Sequence, residues 1–292
     1  MKTFGNKPAW ILLAAALATG CARHGPGGDS DKGSRQAAHE TPAAGPAEDL
    51  PPSMVLDLGR DIRMELVLVR PGSFQMGDAG GADDAQPVHT VAITQPFYLG
   101  KYKVTQQQWE AVMGNNPSYF KGPQNPVDNV GWDACQRFLK KLGEKCNPGW
   151  KCALPNEAQW EYACRAGSST KYCYGDDESR LAEYAWFSDN SKDRTHPVGE
   201  KKPNAWGLYD VHGSLFEWCA DWYAKDCYKA SPPSDPAGPA AGTLHVDRGG
   251  SWRSLAGGCR CGFRNNNSPR PDFLIGLRVM CVRAPLRAPA EG

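Results

Sequence analysis

The sequence predicts a loop-rich α+β domain of short strands and a few helices, and three observations carry that prediction. Gly, Pro and Trp number 32, 24 and 10 among 292 residues, a composition that interrupts long helices and excludes a helical bundle. Only three stretches combine a helix start with an apolar face at helical spacing. The other apolar runs are short and bounded by Gly, Pro, Asn or Asp, as strands are. Lys plus Arg number 33 against 32 Asp plus Glu, so the charge balance gives no reason to expect a nucleic-acid partner.

In chain order, residues 1–21 read as an address. Lys2 and Lys7 precede an apolar run over residues 9–18, too short to span a bilayer and suited to a signal peptide. Leu17-Ala18-Thr19-Gly20-Cys21 resembles a bacterial lipobox, so Cys21 is expected to carry the lipid that holds the chain on a membrane. Ala22 stands where an Asp would mark inner-membrane retention, which points to the outer membrane of the cell envelope. Residues 22–52 are rich in Gly, Pro, Ala and charge and read as a disordered tether. Residues 53–285 form the folded domain and residues 286–292 a tail.

Setting Cys21 aside leaves ten cysteines, which in an oxidising compartment read first as disulfides. Cys146 and Cys152 flank a turn that brings them together, and Cys164 and Cys281 are further candidates. Zinc is the competing reading, but no Cys-x-x-Cys pair occurs.

Strands are expected over residues 64–69, after the turn at Pro71-Gly72, over 88–93 and over 97–102, with His89 a strand residue. The acids of residues 77–84 lack calcium-loop spacing. Thr105 caps a helix over 105–113, with Gln108 in the capping-box position, and Asn156 caps one over 156–164 with Gln159. A helix between Gly131 and Leu142 buries Cys135, Phe138, Leu139 and Leu142 at helical spacing. Glu157 and Glu161 are taken as structural, since a carboxylate in a first turn is favoured by the helix dipole. Gly167 ends its helix. Residues 231–239, with four prolines, read as a rigid loop. Asp189, Asn190 and Asp193 leave a second cation site open.

The densest stretch runs from Pro203 to Tyr223, with Trp206, Tyr209, Phe216, Trp218, Trp222 and Tyr223 separated by Gly207 and Gly213. Aromatics supply large buried area and glycines let the backbone turn around them. Asp210 and Glu217 lie on this interrupted backbone, where carbonyls can join two carboxylates around a hard cation. Spacing alone is equally served by capping or solvated acids on a core loop.

The motif Asn204-x-x-Gly207-Leu208-Tyr209-Asp210-x-x-Gly213-Ser214-x-x-Glu217-Trp218 resembles the signature of the formylglycine-generating-enzyme, or sulfatase-modifying-factor, family. The stretch from Leu154 to Gly167, Arg248-Gly249-Gly250-Ser251-Trp252 and Gly276-Leu277-Arg278 agree in order. Together they cover roughly residues 60 to 283. The resemblance implies an α+β fold related to C-type lectins. It also implies a structural Ca²⁺ at Asp210, Gly213, Leu215 and Glu217, the middle two through backbone carbonyls.

The family's enzyme oxidises a cysteine in a Cys-x-Pro-x-Arg segment to formylglycine, using O₂ and copper held by two cysteines five apart after Arg-Gly-Gly-Ser. Counted from Arg248, those positions fall on Ser254 and Cys259, and a serine hydroxyl cannot replace a thiolate on Cu(I). Leu255 and Phe216 stand where the resemblance implies a His and a Trp. Counted back from Arg264, Cys261 takes a family disulfide position and Cys259 becomes an extra residue of a shortened loop. The expectation is therefore a lipid-anchored binding or scaffolding module whose ligand is a protein or glycan of the envelope. Its ligand surface falls at Arg253 and at Asn265, Asn266 and Asn267, where a simple polar turn is the alternative. The competing expectation is a copper-dependent oxidase acting through a rearranged loop, with Ser251 and Cys259 catalytic. None of the six histidines has metal-triad spacing.

Overall fold

The computed structural model describes residues 50–146 and 148–284. The expected signal peptide, the lipidation position Cys21, all but the last three tether residues and the tail after residue 284 lie outside the described residues. The elements run β1 (Ser53–Asp57), β2 (Arg63–Val69), β3 (Gly72–Met76), β4 (His89–Ile93), β5 (Phe97–Gly100), α1 (Gln106–Met113) and α2 (Trp132–Gly143). Then follow β6 (Trp150–Ala153), α3 (Glu157–Arg165), α4 (Leu181–Tyr184), β7 (Ala185–Trp186), β8 (His212–Gly213) and β9 (Phe216–Trp222). The chain closes with β10 (His245–Arg248), β11 (Arg264–Asn267), β12 (Ile275–Gly276) and β13 (Met280–Arg283).

Two curled sheets organise these pieces. One is antiparallel in the order β1-β2-β5-β13-β6, and the other runs β11-β10-β9-β12. Strand β9 pairs antiparallel with β10 and parallel with β12. That register sets Glu217 opposite both Arg248 and Gly276. The aromatic stretch is thus the middle of a sheet, because Phe216 to Cys219 are buried without a break, as a strand covered on both faces requires.

Helices α1 and α2 cover the first sheet, with Trp109 and Phe138 stacked at 4.9 Å between ring centres. Both expected capping boxes form: the Thr105 hydroxyl accepts from the Gln108 N–H, and the Asn156 side-chain Oδ1 from the Gln159 N–H. Helix α3 ends at Arg165, one residue beyond the expected 164, and both Ala166 (φ 47°) and Gly167 (φ 90°) are left-handed, with Ala166 as the cap. Strand β1 and the short elements α4 and β7 carried no signal in the sequence. They are too short for any period to show.

Candidate functional site

The loop leaving β10 is where the resemblance expects chemistry. Gly249 and Gly250 have φ of 98° and 81°, a turn only glycine makes without strain. A Cβ on Gly250 would lie 2.8 Å from Cys259 Sγ, so the turn exists to let that side chain pack underneath. Cys259 is fully buried. Burial pushes its thiol up to about 12, the opposite of a nucleophile or copper ligand, which works as thiolate.

Ser254 is tied into the loop: its Oγ accepts the Ser251 N–H at 2.9 Å and its N–H donates to the Ser251 carbonyl at 3.0 Å. The Ser251 and Ser254 hydroxyls lie 3.3 Å apart. Leu255 points into solvent, 74% exposed. Ser251 and Cys259 are therefore close in the chain's path, but nothing here pairs two sulfurs for a metal.

Cysteines do gather elsewhere. Cys146 and Cys152 have Sγ atoms 2.8 Å apart, and Cys281 joins them at 3.4 Å from Cys152. Cys164 lies 3.6 Å from Cys261. His212 stands beside this second pair, with ligand atoms of all three within 4.8 Å. The His212 Nδ1 faces the Cys259 carbonyl at 2.7 Å, and Nε2 accepts the Cys173 N–H at 3.1 Å. A carbonyl only accepts, so the hydrogen sits on Nδ1. Burial holds this imidazole down to about 4, hence neutral. No signal along the chain marks the cluster, because α3, β8 and the loop after β10 supply one residue each.

The residues expected to bind Ca²⁺ also come together. Gly213 has φ 70°, and a Cβ there would meet the Trp186 carbonyl at 2.2 Å, so no other residue fits. Asp210 Oδ2 accepts the Gly199 N–H at 2.8 Å. Glu217 is fully buried and its carboxylate is already engaged. Lys103 Nζ donates to Oε1, and Arg278 grips both oxygens, at 2.8 Å to Oε1 and 3.0 Å to Oε2. Trp160 Nε1 donates to Oε2 at 2.8 Å.

Burial works against ionisation of Glu217, but Arg278 and then Lys103 outweigh it and hold the carboxyl down to about 2. Burial lowers the Lys103 pKa and the neighbouring Arg278 charge adds to this, against the opposing pull of Glu217. Ca²⁺ takes six to eight oxygens at about 2.3–2.6 Å. Glu217 with two cations on it does not fit that role, and Ca²⁺ at Asp210, Gly213, Leu215 and Glu217 stays an expectation drawn from the resemblance. Lys103 was missed because nothing in its neighbourhood marks it. The second cation site left open at Asp189, Asn190 and Asp193 finds no support, since the Asn190 amide closes its own turn on Phe187 and Ala185.

Glu157 and Glu161 are structural, as expected. Glu161 accepts from Gly77, Arg165 and Arg248, and Glu157 is clamped by Arg264 at 2.7 and 2.8 Å. Burial opposes ionisation of Glu157, but Arg264 and Arg248 overcome it and keep its carboxyl below the usual range. Asp221, beside them, lines a cavity of about 460 Å³ with Cys227, Tyr228, Pro232 and Pro239. Burial and then the Glu157 charge push it up to about 7.

A carboxyl raised above its unfolded value favours the fold at acidic pH and loses that contribution as pH rises through the folded value. Urea unfolding of Asp221→Asn should therefore show a flatter fall in stability between about pH 4 and 7 than the parent chain.

The proposed ligand surface divides. Asn265 and Asn267 donate to the two oxygens of buried Asp247, at 2.7 and 2.8 Å. Their amides hold the sheet, and Asn266 makes neither of these contacts. Arg253 is exposed and lies over the Trp252 ring at 4.8 Å and the Phe273 ring at 5.7 Å. Tyr119, 70% exposed, and Phe120 extend the patch. The sequence separates these rings by more than a hundred residues, so only folding reveals the cluster.

Among the described residues no helix is long and apolar enough to cross a membrane. The chain is 30% identical over 237 residues to the serine/threonine-protein kinase pkn1 of Chlamydia pneumoniae, covering 71% of this chain but 36% of the kinase. It thus spans about a third of that relative's length. It is also 30% identical over 267 residues to the chaperone protein LppX of Paenibacillus barcinonensis, covering 74% of this chain and 89% of that one. Among solved structures, Treponema denticola variable protein 1 superposes with a TM-score of 0.74 at 32% identity, over 80% of this chain and 99% of that one. Residues 58–283 match the sulfatase-modifying factor enzyme 1-like domain, and it is to this family that the chain belongs.

Proposed function

We propose that this chain is an exported, lipid-anchored binding module that uses the family scaffold without its oxidase chemistry. The carrying observation is Cys259: a lone, fully buried thiol, pushed up to about 12, with Ser254 locked into the turn where a second sulfur would be needed. Two soft thiolates are what Cu(I) requires, and neither cysteine cluster includes Cys259.

The ligand face is the patch of Tyr119, Phe120, Arg253 and Phe273, seated on the buried Trp252 ring. Rigid aromatics beside an Arg are the residues that anchor protein interfaces. The names of two relatives, a chaperone and a variable protein, agree with a recognition role. We take the ligand to be an apolar or aromatic segment of an envelope protein, with a glycan stacking on the same rings as the second reading. Cys21 holds the chain at the membrane, as the lipobox-like stretch supports.

The experiment has two arms on the full chain in detergent. Loaded with copper and incubated with O₂ and a Cys-x-Pro-x-Arg peptide, it should yield no aldehyde by mass spectrometry. Turnover that Cys259→Ala abolishes would establish the oxidase instead. In the second arm, the chain should suppress aggregation of an unfolded exported protein. Tyr119→Ala with Phe273→Ala should weaken this by about tenfold or more while the melting temperature holds, as removal of interface anchors does.

A further inference from the structure

We propose that the ammonium of Lys103 serves as a built-in structural cation, filling the position where the fold would otherwise hold a divalent metal. This inference concerns the scaffold and stands apart from the ligand-binding reading.

Three observations point to it. Lys103 is fully buried, and a buried ammonium persists only where a carboxylate meets it. Its partner is Glu217, the acid at the centre of the second sheet, and Asp210 lies within electrostatic reach of both. The backbone of the next residue is fixed twice: Val104 donates to the Leu277 carbonyl at 3.0 Å and accepts from Val127 at 2.8 Å. The lysine stem thus enters the site from a clamped segment, next to the residue that precedes Arg278.

Charge accounting supports the same assignment. Lys103 and Arg278 carry two positive charges, and Glu217 and Asp210 two negative ones when ionised. A divalent cation added to this balanced, buried set would leave two positive charges uncompensated, which a low-dielectric interior disfavours. Removing Lys103 reverses the situation. Two carboxyl groups would then face a space as large as a lysine side chain, with Arg278 the remaining ion-pair partner of Glu217 among the described residues. That arrangement favours a small hard cation held by oxygen.

The test is thermal unfolding of the full chain in EDTA and in millimolar Ca²⁺. The parent chain should melt at the same temperature in both. Lys103→Ala should melt lower in EDTA and recover by about 5–10 °C in Ca²⁺, the shift that a ligand at a hundred times its Kd produces in a domain of this size. Adding Glu217→Gln to Lys103→Ala should remove the recovery. A parent chain stabilised by Ca²⁺, with Lys103→Ala stabilised equally, would overturn the proposal. So would a destabilised Lys103→Ala that is blind to Ca²⁺, since Lys103 would then be an ordinary buried ion-pair partner.

If Lys103→Ala does not fold, Lys103→Met keeps the apolar stem. Its refolding yield with Ca²⁺ against EDTA then decides in the same sense. Tb³⁺ gives an independent reading on the parent chain. The Trp160 indole touches Glu217, so an ion there would emit on tryptophan excitation. No emission sensitive to Glu217→Gln is expected.

Discussion

Glu217→Ala should leave the full chain largely unfolded, losing about 3–5 kcal/mol or more in urea titration. Removing one partner of a buried ion pair costs this much because the other charge remains without water or counter-charge. Here one truncation strands two cations. Lys103 has Glu217 as its ion-pair partner. Arg278 keeps only carbonyl oxygens, from Gly100 at 2.9 Å, Lys101 at 3.1 Å and Tyr209 at 2.8 Å. Trp160 loses its indole acceptor as well. A domain's whole stability is about 5–15 kcal/mol, so a single truncation at this centre consumes much of it. A loss under about 1 kcal/mol would mean that water reaches the site and that Glu217 is not its organiser.

Glu161→Ala should come next, destabilising by about 3 kcal/mol. Its two oxygens hold Arg165 and Arg248, and one also accepts the Gly77 N–H at 2.9 Å. The loss is smaller than at Glu217 because both guanidinium groups retain partners. Arg165 keeps the Gly77 and Thr170 carbonyls, and Arg248 keeps Glu157 and the Phe263 carbonyl. Glu161→Gln should recover part of the loss, since an amide oxygen still accepts one bond. Equal urea midpoints for Glu161→Ala and the parent chain would count against this network.

The two networks share a logic. Arg248 stands opposite Glu217 in the sheet register, yet its charge is spent on Glu157 and Glu161. Each buried acid is thus saturated by cations from distant segments, and those pairings tie α3, β9, β10 and the β12–β13 turn into one body. A family scaffold held this way keeps its fold while the loop at Ser251 to Cys259 changes chemistry. That separation is what the proposed binding role requires.

The sequence by itself determined the fold class, both capped helices, the amphipathic α2 and the family, because these rest on local signals: a cap, a period, a motif in order. It also carried the loss of the second sulfur at Ser254, which needs only a count along the chain. The tertiary structure decided what each polar group faces. Lys103 opposite Glu217, His212 beside Cys164 and Cys261, Asn265 and Asn267 on Asp247, and Tyr119 beside Phe273 are all contacts between segments far apart in the chain. No periodicity or spacing encodes such contacts, since they depend on sheet register and on which segment curls over which. For the same reason the Ca²⁺ expectation was legible in the motif, whereas the ammonium that meets Glu217 arrives from another segment and shows only in the fold.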